Sequence, residues 1–176
     1  VVIAFSQVAE AVRARGTVDL PILAYFCVFW MIWTKEMSFS TRFDTSDLSS
    51  SLEQLLMCFA VLFGSLSATE PFDSQDATRM MLAAGFVSIL HLLQHLRVAI
   101  AFRSAATGTI DWQARNYALI VSAMALLETI AWGIGIFIIP QDSEKRWLVF
   151  LIGILLSVQI ADWIVPCDFL AASSKQ

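Results

Sequence analysis

His91 and His95 stand four residues apart in an apolar stretch that reads HLLQH. On a helix they would lie one turn apart on the same face, where two imidazoles can chelate a metal ion. The motif lacks the Glu of a zinc protease, and further ligands would have to come from other segments. We therefore favour hydrogen bonds between helices over metal binding at this pair, and we predict no metal site.

Glu128 is a lone carboxylate near the middle of an apolar segment at residues 117–139. An ionised carboxylate costs several kcal/mol at the centre of a membrane, so such groups face a bundle interior or an aqueous cavity. The helical neighbours Ala125, Ala131 and Trp132 favour the inward direction. Two interpretations stay open: a functional group that carries a proton, or a protonated side chain that is hydrogen-bonded to a neighbouring helix.

The stretch RFDTSD places Arg42, Asp44 and Asp47 between two apolar segments. We expect the chain to leave its helix at residues 45–50, and Arg42 to pair with a carboxylate from this loop or from another helix. A buried pair of this kind is a structural clamp that fixes helix packing. If the pair instead lines a cavity, it can bind an ion or a small polar solute. The clamp is the favoured interpretation.

Other polar residues interrupt the apolar pattern nearer the start of the chain. Gln7 and Glu10, with Ser6, give the first segment a polar face and are further binding candidates. The second segment is uninterrupted only over residues 20–33, about 21 Å of helix against a hydrocarbon core of roughly 30 Å. Both charged residues that follow must reach the membrane surface or face protein. The long stem of Lys35 suits the first arrangement, and we expect Glu36 to face other helices or the interface.

Neither an enzyme nor a nucleic-acid-binding protein is indicated by the sequence. No nucleophile motif, phosphate-binding loop or dinucleotide fingerprint is present, and we predict no cofactor. A net charge of −4 without a basic run argues against nucleic acid. Cys27, Cys58 and Cys167 lie far apart without metal-ligand spacing, so we interpret them as packing residues.

Composition places the chain in the membrane class. Hydrophobic residues make up 58% and charged residues 15% of the sequence, and the mean hydropathy is +0.72. Long apolar runs without two-residue alternation predict helices, because a backbone in lipid must satisfy its hydrogen bonds internally. We predict an all-α bundle, a single domain over residues 1–176, with about six spans of which the first is incomplete. The six segments are at residues 1–12, 20–40, 50–68, 80–102, 117–139 and 147–165.

Local patterns suggest how these helices start and pack. Ser50 and Glu53 have the spacing of a capping box, which predicts that the third helix begins at Ser50. Small residues recur every fourth position in two segments, a spacing that lets helix backbones approach closely in lipid. These predicted contact positions are Ala131 and Gly135 in the fifth segment, and Gly153, Ser157 and Ala161 in the sixth.

The order of several motifs resembles the bacterial low-temperature-requirement protein A (LtrA) family. IAFSQVAEAV is followed by the aromatic helix FWMIWT, then by RFDTSD, and then by a helix that opens with LEQLLM. Near the end, ADWIVP is similar to the family's sixth span. The resemblance implies that this chain is the N-terminal half of a longer membrane protein, with a second hydrophobic half as a partner. It implies an association with growth in the cold, and no molecular activity.

The polar residues within the apolar segments lead to two functional hypotheses. The first is a proton-coupled or small-solute transporter or channel, with the lipid bilayer and a proton or small solute as partners. The second is a membrane sensor or scaffold without transport, in which the same groups are structural clamps. A membrane-embedded enzyme is third, because the sequence has no recognisable nucleophile or metal set. A homo-oligomer is a further assembly that the sequence allows.

Overall fold

Six α-helices account for most of the chain in the computed structural model, which describes residues 2–17, 20–43, 48–66, 74–139 and 146–157. Within those ranges there is no β-strand, which confirms the predicted all-α class. The helices are α1 Val2–Arg15, α2 Leu20–Arg42, α3 Leu48–Ser65, α4 Ser74–Ala101, α5 Ile110–Phe137 and α6 Arg146–Ser157.

Two helices begin well before the apolar segments predicted for them. α4 starts at Ser74 rather than at residue 80, and α5 starts at Ile110 rather than at residue 117. The first turns of both helices carry polar residues, so a helix predicted from its apolar run alone begins too late. The start of α5 is set by Thr109, whose side-chain oxygen accepts a hydrogen bond from the Trp112 backbone N–H at 3.2 Å.

The predicted boundary between α2 and α3 was wrong. α2 ends at Arg42 and α3 has already begun at Leu48, so Ser50 lies inside the helix and is not its cap. Ser50 is buried and accepts a hydrogen bond from Arg97 of α4 at 2.9 Å, and Glu53 lies 3.3 Å from the same guanidinium. The polar residues of the supposed capping box therefore bind α3 to α4.

Polar and apolar residues are distributed as in a membrane protein. Buried positions include charged and polar side chains, whereas many large apolar side chains on α3, α4 and α5 are exposed, such as Phe59, Leu93 and Leu127. Three helical stretches are long and apolar enough to cross a bilayer: Leu48–Ser65, Ala77–Ala101 and Ile110–Phe137. The chain is thus an integral membrane protein, as its composition predicts.

The cysteines take no part in a disulfide in the part of the chain described. Cys27 is half-buried and Cys58 is exposed, and both are free thiols. The packing role predicted for Cys58 was wrong, because its side chain lies on the outer face of α3. Cys167 lies outside the described residues.

Trp132 of α5 occupies the centre of the bundle. Its ring is almost fully buried, packs edge-on against Phe150 of α6 at a centroid distance of 5.5 Å, and covers Gly153. One turn further along α5, a Cβ added to Gly135 would lie 2.6 Å from Val149 Cγ1. Gly135 and Gly153 therefore both lie at the close contact between α5 and α6 that was predicted from their spacing. The other small residues predicted on α6, Ser157 and Ala161, lie outside the described side chains.

We predict that Gly153→Ala destabilises the bundle, because the added methyl group would overlap the Trp132 ring. Overpacking of this kind costs about 1–3 kcal/mol. Gly133→Ala on α5 is the matched control, since nothing lies within 4 Å of a Cβ at that position. Alanine is a better helix former than glycine by about 1 kcal/mol, so this control should be neutral or stabilising. Thermal unfolding in detergent measures both, and equal melting temperatures would contradict the predicted contact.

Candidate functional site

Lys35 of α2 and Glu128 of α5 form a salt bridge in the interior of the bundle. Only 3% of Lys35 and 4% of Glu128 is exposed, so water does not screen the pair. The other carboxylate oxygen of Glu128 accepts a hydrogen bond from Trp132 Nε1 at 3.3 Å. The inward direction predicted for Glu128 is confirmed. The expectation that Lys35 reaches the membrane surface was wrong, because a fixed carboxylate holds its ammonium group inside.

A small cavity adjoins this salt bridge. Its volume is about 10 Å³, which is room for about one water molecule. Apart from the two charged residues its walls are almost wholly apolar, formed by Val28, Met31, Ile32, Ala84, Val87, Trp132 and Ile154. A proton or a single water molecule fits beside the pair in this conformation, and a larger solute does not.

The two histidines of α4 are completely buried beside this centre. Their rings meet edge to face, with centroids 4.3 Å apart. The Nδ1–H of His95 donates to the backbone carbonyl of His91 at 3.0 Å, because a carbonyl can only accept. His91 Nε2 is buried and has no hydrogen-bond partner among the described residues, although Lys35 lies within electrostatic range. The hydrogen bond predicted to join His91 to another helix is therefore absent at this nitrogen.

Arg42 forms a second centre with Tyr117 of α5. Its guanidinium donates to the Tyr117 hydroxyl at 3.2 Å, stacks 5.0 Å from the centre of that ring, and also donates to Ser38. Tyr117 is fully buried and lies 6.0 Å from the His95 ring. Arg42 thus joins α2 to α5 through an aromatic hydroxyl. Asp44 and Asp47 lie outside the described residues, so the predicted carboxylate pairing stays a prediction.

These residues form a series that joins the two centres, in which every step is a contact except the one from His91 to Lys35, where the two lie within electrostatic range. We call the series the polar array. It consists of six side chains from α2, α4 and α5: Arg42, Tyr117, His95, His91, Lys35 and Glu128. Arg42, His91, His95 and Glu128 were all predicted as candidates from the sequence, and the fold brings them together. Lys35 was not predicted as a site residue, nor was Tyr117.

A pattern in α2 contains the signal for Lys35. Val28, Ile32, Lys35 and Phe39 are spaced by three or four residues and all are buried. This spacing marks the inward stripe of a helix, and the stripe continues to Arg42. Lys35 therefore stands at a core position in the sequence, and a charge at such a position requires a buried partner.

The candidates on α1 are separate from the array. Glu10 is exposed. Gln7 is half-buried, and its side-chain oxygen has no hydrogen-bond partner among the residues the structure describes. The same ranges contain no group of three or more His, Cys, Asp or Glu residues that could hold a metal ion.

Comparison with known proteins identifies one matching family. The family described as bacterial low temperature requirement A protein (LtrA) matches residues 1–173, nearly the whole chain. Searches of curated proteins and of solved structures found no match.

We predict that Lys35→Met alone strongly destabilises the protein, because it leaves the Glu128 carboxylate buried without its cation. Removing one partner of a buried pair costs about 3–5 kcal/mol, whereas replacing both partners is often neutral. The double variant Lys35→Met, Glu128→Gln should therefore recover most of the loss. Thermal unfolding of wild type, both single variants and the double variant forms a double-mutant cycle. Additive effects would contradict a direct interaction.

We also predict that Arg42→Ala lowers the melting temperature more than Tyr117→Phe does. The tyrosine substitution removes one hydroxyl that accepts a hydrogen bond, and such a bond typically contributes about 1 kcal/mol to stability. It keeps the ring under the guanidinium. The arginine substitution removes the hydrogen bonds to Ser38 and Tyr117 and the stacking together. An unchanged melting temperature for Arg42→Ala would count against a clamp between α2 and α5.

Proposed function

The chain belongs to the bacterial low temperature requirement A protein (LtrA) family, and from that premise we propose that it conducts protons across a membrane. In this proposal the six helices are six spans, and the polar array is the path along which protons move. The buried Lys35–Glu128 salt bridge is the observation that carries the proposal.

Energetic reasoning supports a functional role for the salt bridge. Withdrawing two charges from water costs several kcal/mol per ion, and a well-packed apolar pair of similar volume is often as stable. Charged residues within membrane helices are rare and mark ion pathways and proton relays by default. A salt bridge with 3% and 4% exposure in an apolar surrounding is such a case.

The chemistry of the pair suggests how a proton would act. A proton that arrives at Glu128 converts the carboxylate to a neutral carboxyl group and removes the charge that holds Lys35. The Lys35 ammonium is then no longer held by a carboxylate charge, and the His91 imidazole lies within electrostatic range of it. His91 Nε2 can accept a proton there, because no described residue donates to it. Lys35 becomes a neutral amine by that transfer, and His91 becomes an imidazolium.

The remainder of the polar array extends this route along α4. His91 and His95 are in ring contact, and His95 lies beside Tyr117, whose hydroxyl accepts from Arg42. Imidazole and phenol groups both donate and accept protons, so the series from Glu128 to Tyr117 consists of groups that can relay them. Arg42 keeps its charge and holds the Tyr117 hydroxyl at the end of the series. The size of the cavity beside Lys35, about 10 Å³, favours a proton over a larger solute.

A membrane sensor or scaffold without transport is the second candidate. It is favoured by the completeness of the contacts around Glu128, which has both Lys35 and Trp132 as partners. In that case the salt bridge fixes the register of α2 against α5, and the other buried polar groups are structural clamps as well. The two candidates differ in whether a folded protein with a neutral pair still conducts.

We predict that the purified protein in liposomes passes protons faster than protein-free liposomes, measured with an enclosed pH-sensitive dye under a potassium-driven membrane potential. Glu128→Gln should reduce the flux to the background leak, because the proton-accepting carboxylate is gone. Asp111→Asn is the matched control: it makes the same carboxylate-to-amide change at an exposed position outside the array and should conduct like wild type.

The double variant Lys35→Met, Glu128→Gln separates folding from conduction. A double variant with the melting temperature of wild type and only background flux supports proton conduction through the pair. Wild-type liposomes with no more than background leak, or a Glu128→Gln flux equal to wild type, would remove the proposal and leave the scaffold as the better account.

A further inference from the structure

A second polar cluster lies where α2, α3 and α4 meet, outside the polar array. Glu36 of α2 has its carboxylate beside the side-chain amides of Gln54 and Gln94 and within electrostatic range of Glu53. Glu36 therefore faces other helices, which is the first of the two positions expected for it from the sequence. We call Glu36, Glu53, Gln54 and Gln94 the oxygen cluster.

Acceptors outnumber donors in the oxygen cluster. Four of its oxygens are buried and have no hydrogen-bond partner among the described residues: Glu36 Oε1 and Oε2, Glu53 Oε2 and Gln94 Oε1. Gln94 is 1% exposed, so its amide oxygen has no access to solvent. The amides of Gln54 and Gln94 lie near Glu36 but are not placed to donate to it within normal limits of distance and angle. An unsatisfied buried oxygen is unfavourable, so the set calls for a partner that oxygen lone pairs can bind, such as a cation.

The charges in the cluster indicate the valence of that partner. Glu53 already has a cation, the Arg97 guanidinium at 3.3 Å. Glu36 has no Lys, Arg or His within ion-pair distance among the described residues, and the neighbouring Lys35 is directed to Glu128 instead. One negative charge therefore remains, which a monovalent cation balances. A divalent cation would leave an excess positive charge in a site enclosed by apolar helices.

From these observations we propose that Glu36, Glu53 and Gln94, with Gln54 beside them, bind a monovalent metal cation of the Na⁺ type between α2, α3 and α4. Hard cations are coordinated by carboxylate and amide carbonyl oxygens, which are the unsatisfied groups of this cluster. The site goes beyond proton conduction and does not require it, because it shares no residue with the polar array.

Direct binding of ²²Na⁺ tests this site on the full chain purified in lipid nanodiscs, with choline chloride added to hold the ionic strength constant. Wild type should bind saturably. Glu36→Gln should raise the dissociation constant by about tenfold or more, because it removes the uncompensated charge. Gln94→Leu should weaken binding through loss of one ligand oxygen. Asp111→Asn, an exposed carboxylate-to-amide change on α5, should bind like wild type.

A second measurement needs no variant. A ligand that binds only the folded protein raises its melting temperature, so wild type should melt higher in NaCl than in choline chloride of equal concentration. Absence of saturable ²²Na⁺ binding, or unchanged binding in Glu36→Gln, would overturn the proposal. Equal melting temperatures in the two salts would also overturn it. The buried oxygens would then be satisfied by a proton on Glu36 or by a rotated Gln94 amide.

Discussion

The buried salt bridge between Lys35 and Glu128 constrains the helices around it. The free energy gained by the pair depends steeply on distance in an interior without water, so α2 and α5 must keep one register. Trp132, one turn from Glu128, donates to the carboxylate and fills the space between α5 and α6. Glycine at positions 85 and 153 allows α4 and α6 to approach that ring closely. Trp132 thus links the buried carboxylate to the close packing of α4, α5 and α6.

α2 divides its polar residues between two neighbouring regions. Lys35 and Glu36 are consecutive and opposite in charge, yet they do not pair, because successive residues on a helix point about 100° apart. Lys35 is directed towards α5, and Glu36 towards α3 and α4. Arg42 lies on the Lys35 side, two turns further along, and reaches Tyr117. α2 therefore supplies side chains to both the polar array and the oxygen cluster, as α4 does with its histidines and Gln94.

The sequence allowed the membrane class, the number of helices and the inward direction of Glu128 to be predicted, since each depends on local composition or on spacing along one helix. The partner of Lys35 could not be predicted, because it lies 93 residues away on a helix whose register only the fold determines. The starts of α4 and α5 were missed because their first turns are polar. Ser50 and Glu53 were misinterpreted because the same two residues suit a helix cap and a binding site for Arg97 equally well.

The separation of the two regions on α2 has a consequence for any coupling between them. Neither has a residue in common with the other, so a cation near Glu36 and a proton on Glu128 cannot compete for one ligand. They can affect each other through the positions of α2 and α4, because each of these helices carries residues of both regions. A shift of α2, for example, moves Lys35 and Glu36 together. A cation that holds Glu36 against α3 and α4 would then favour one position of Lys35 relative to Glu128. By linkage, protonation of Glu128 would change cation affinity by the same factor.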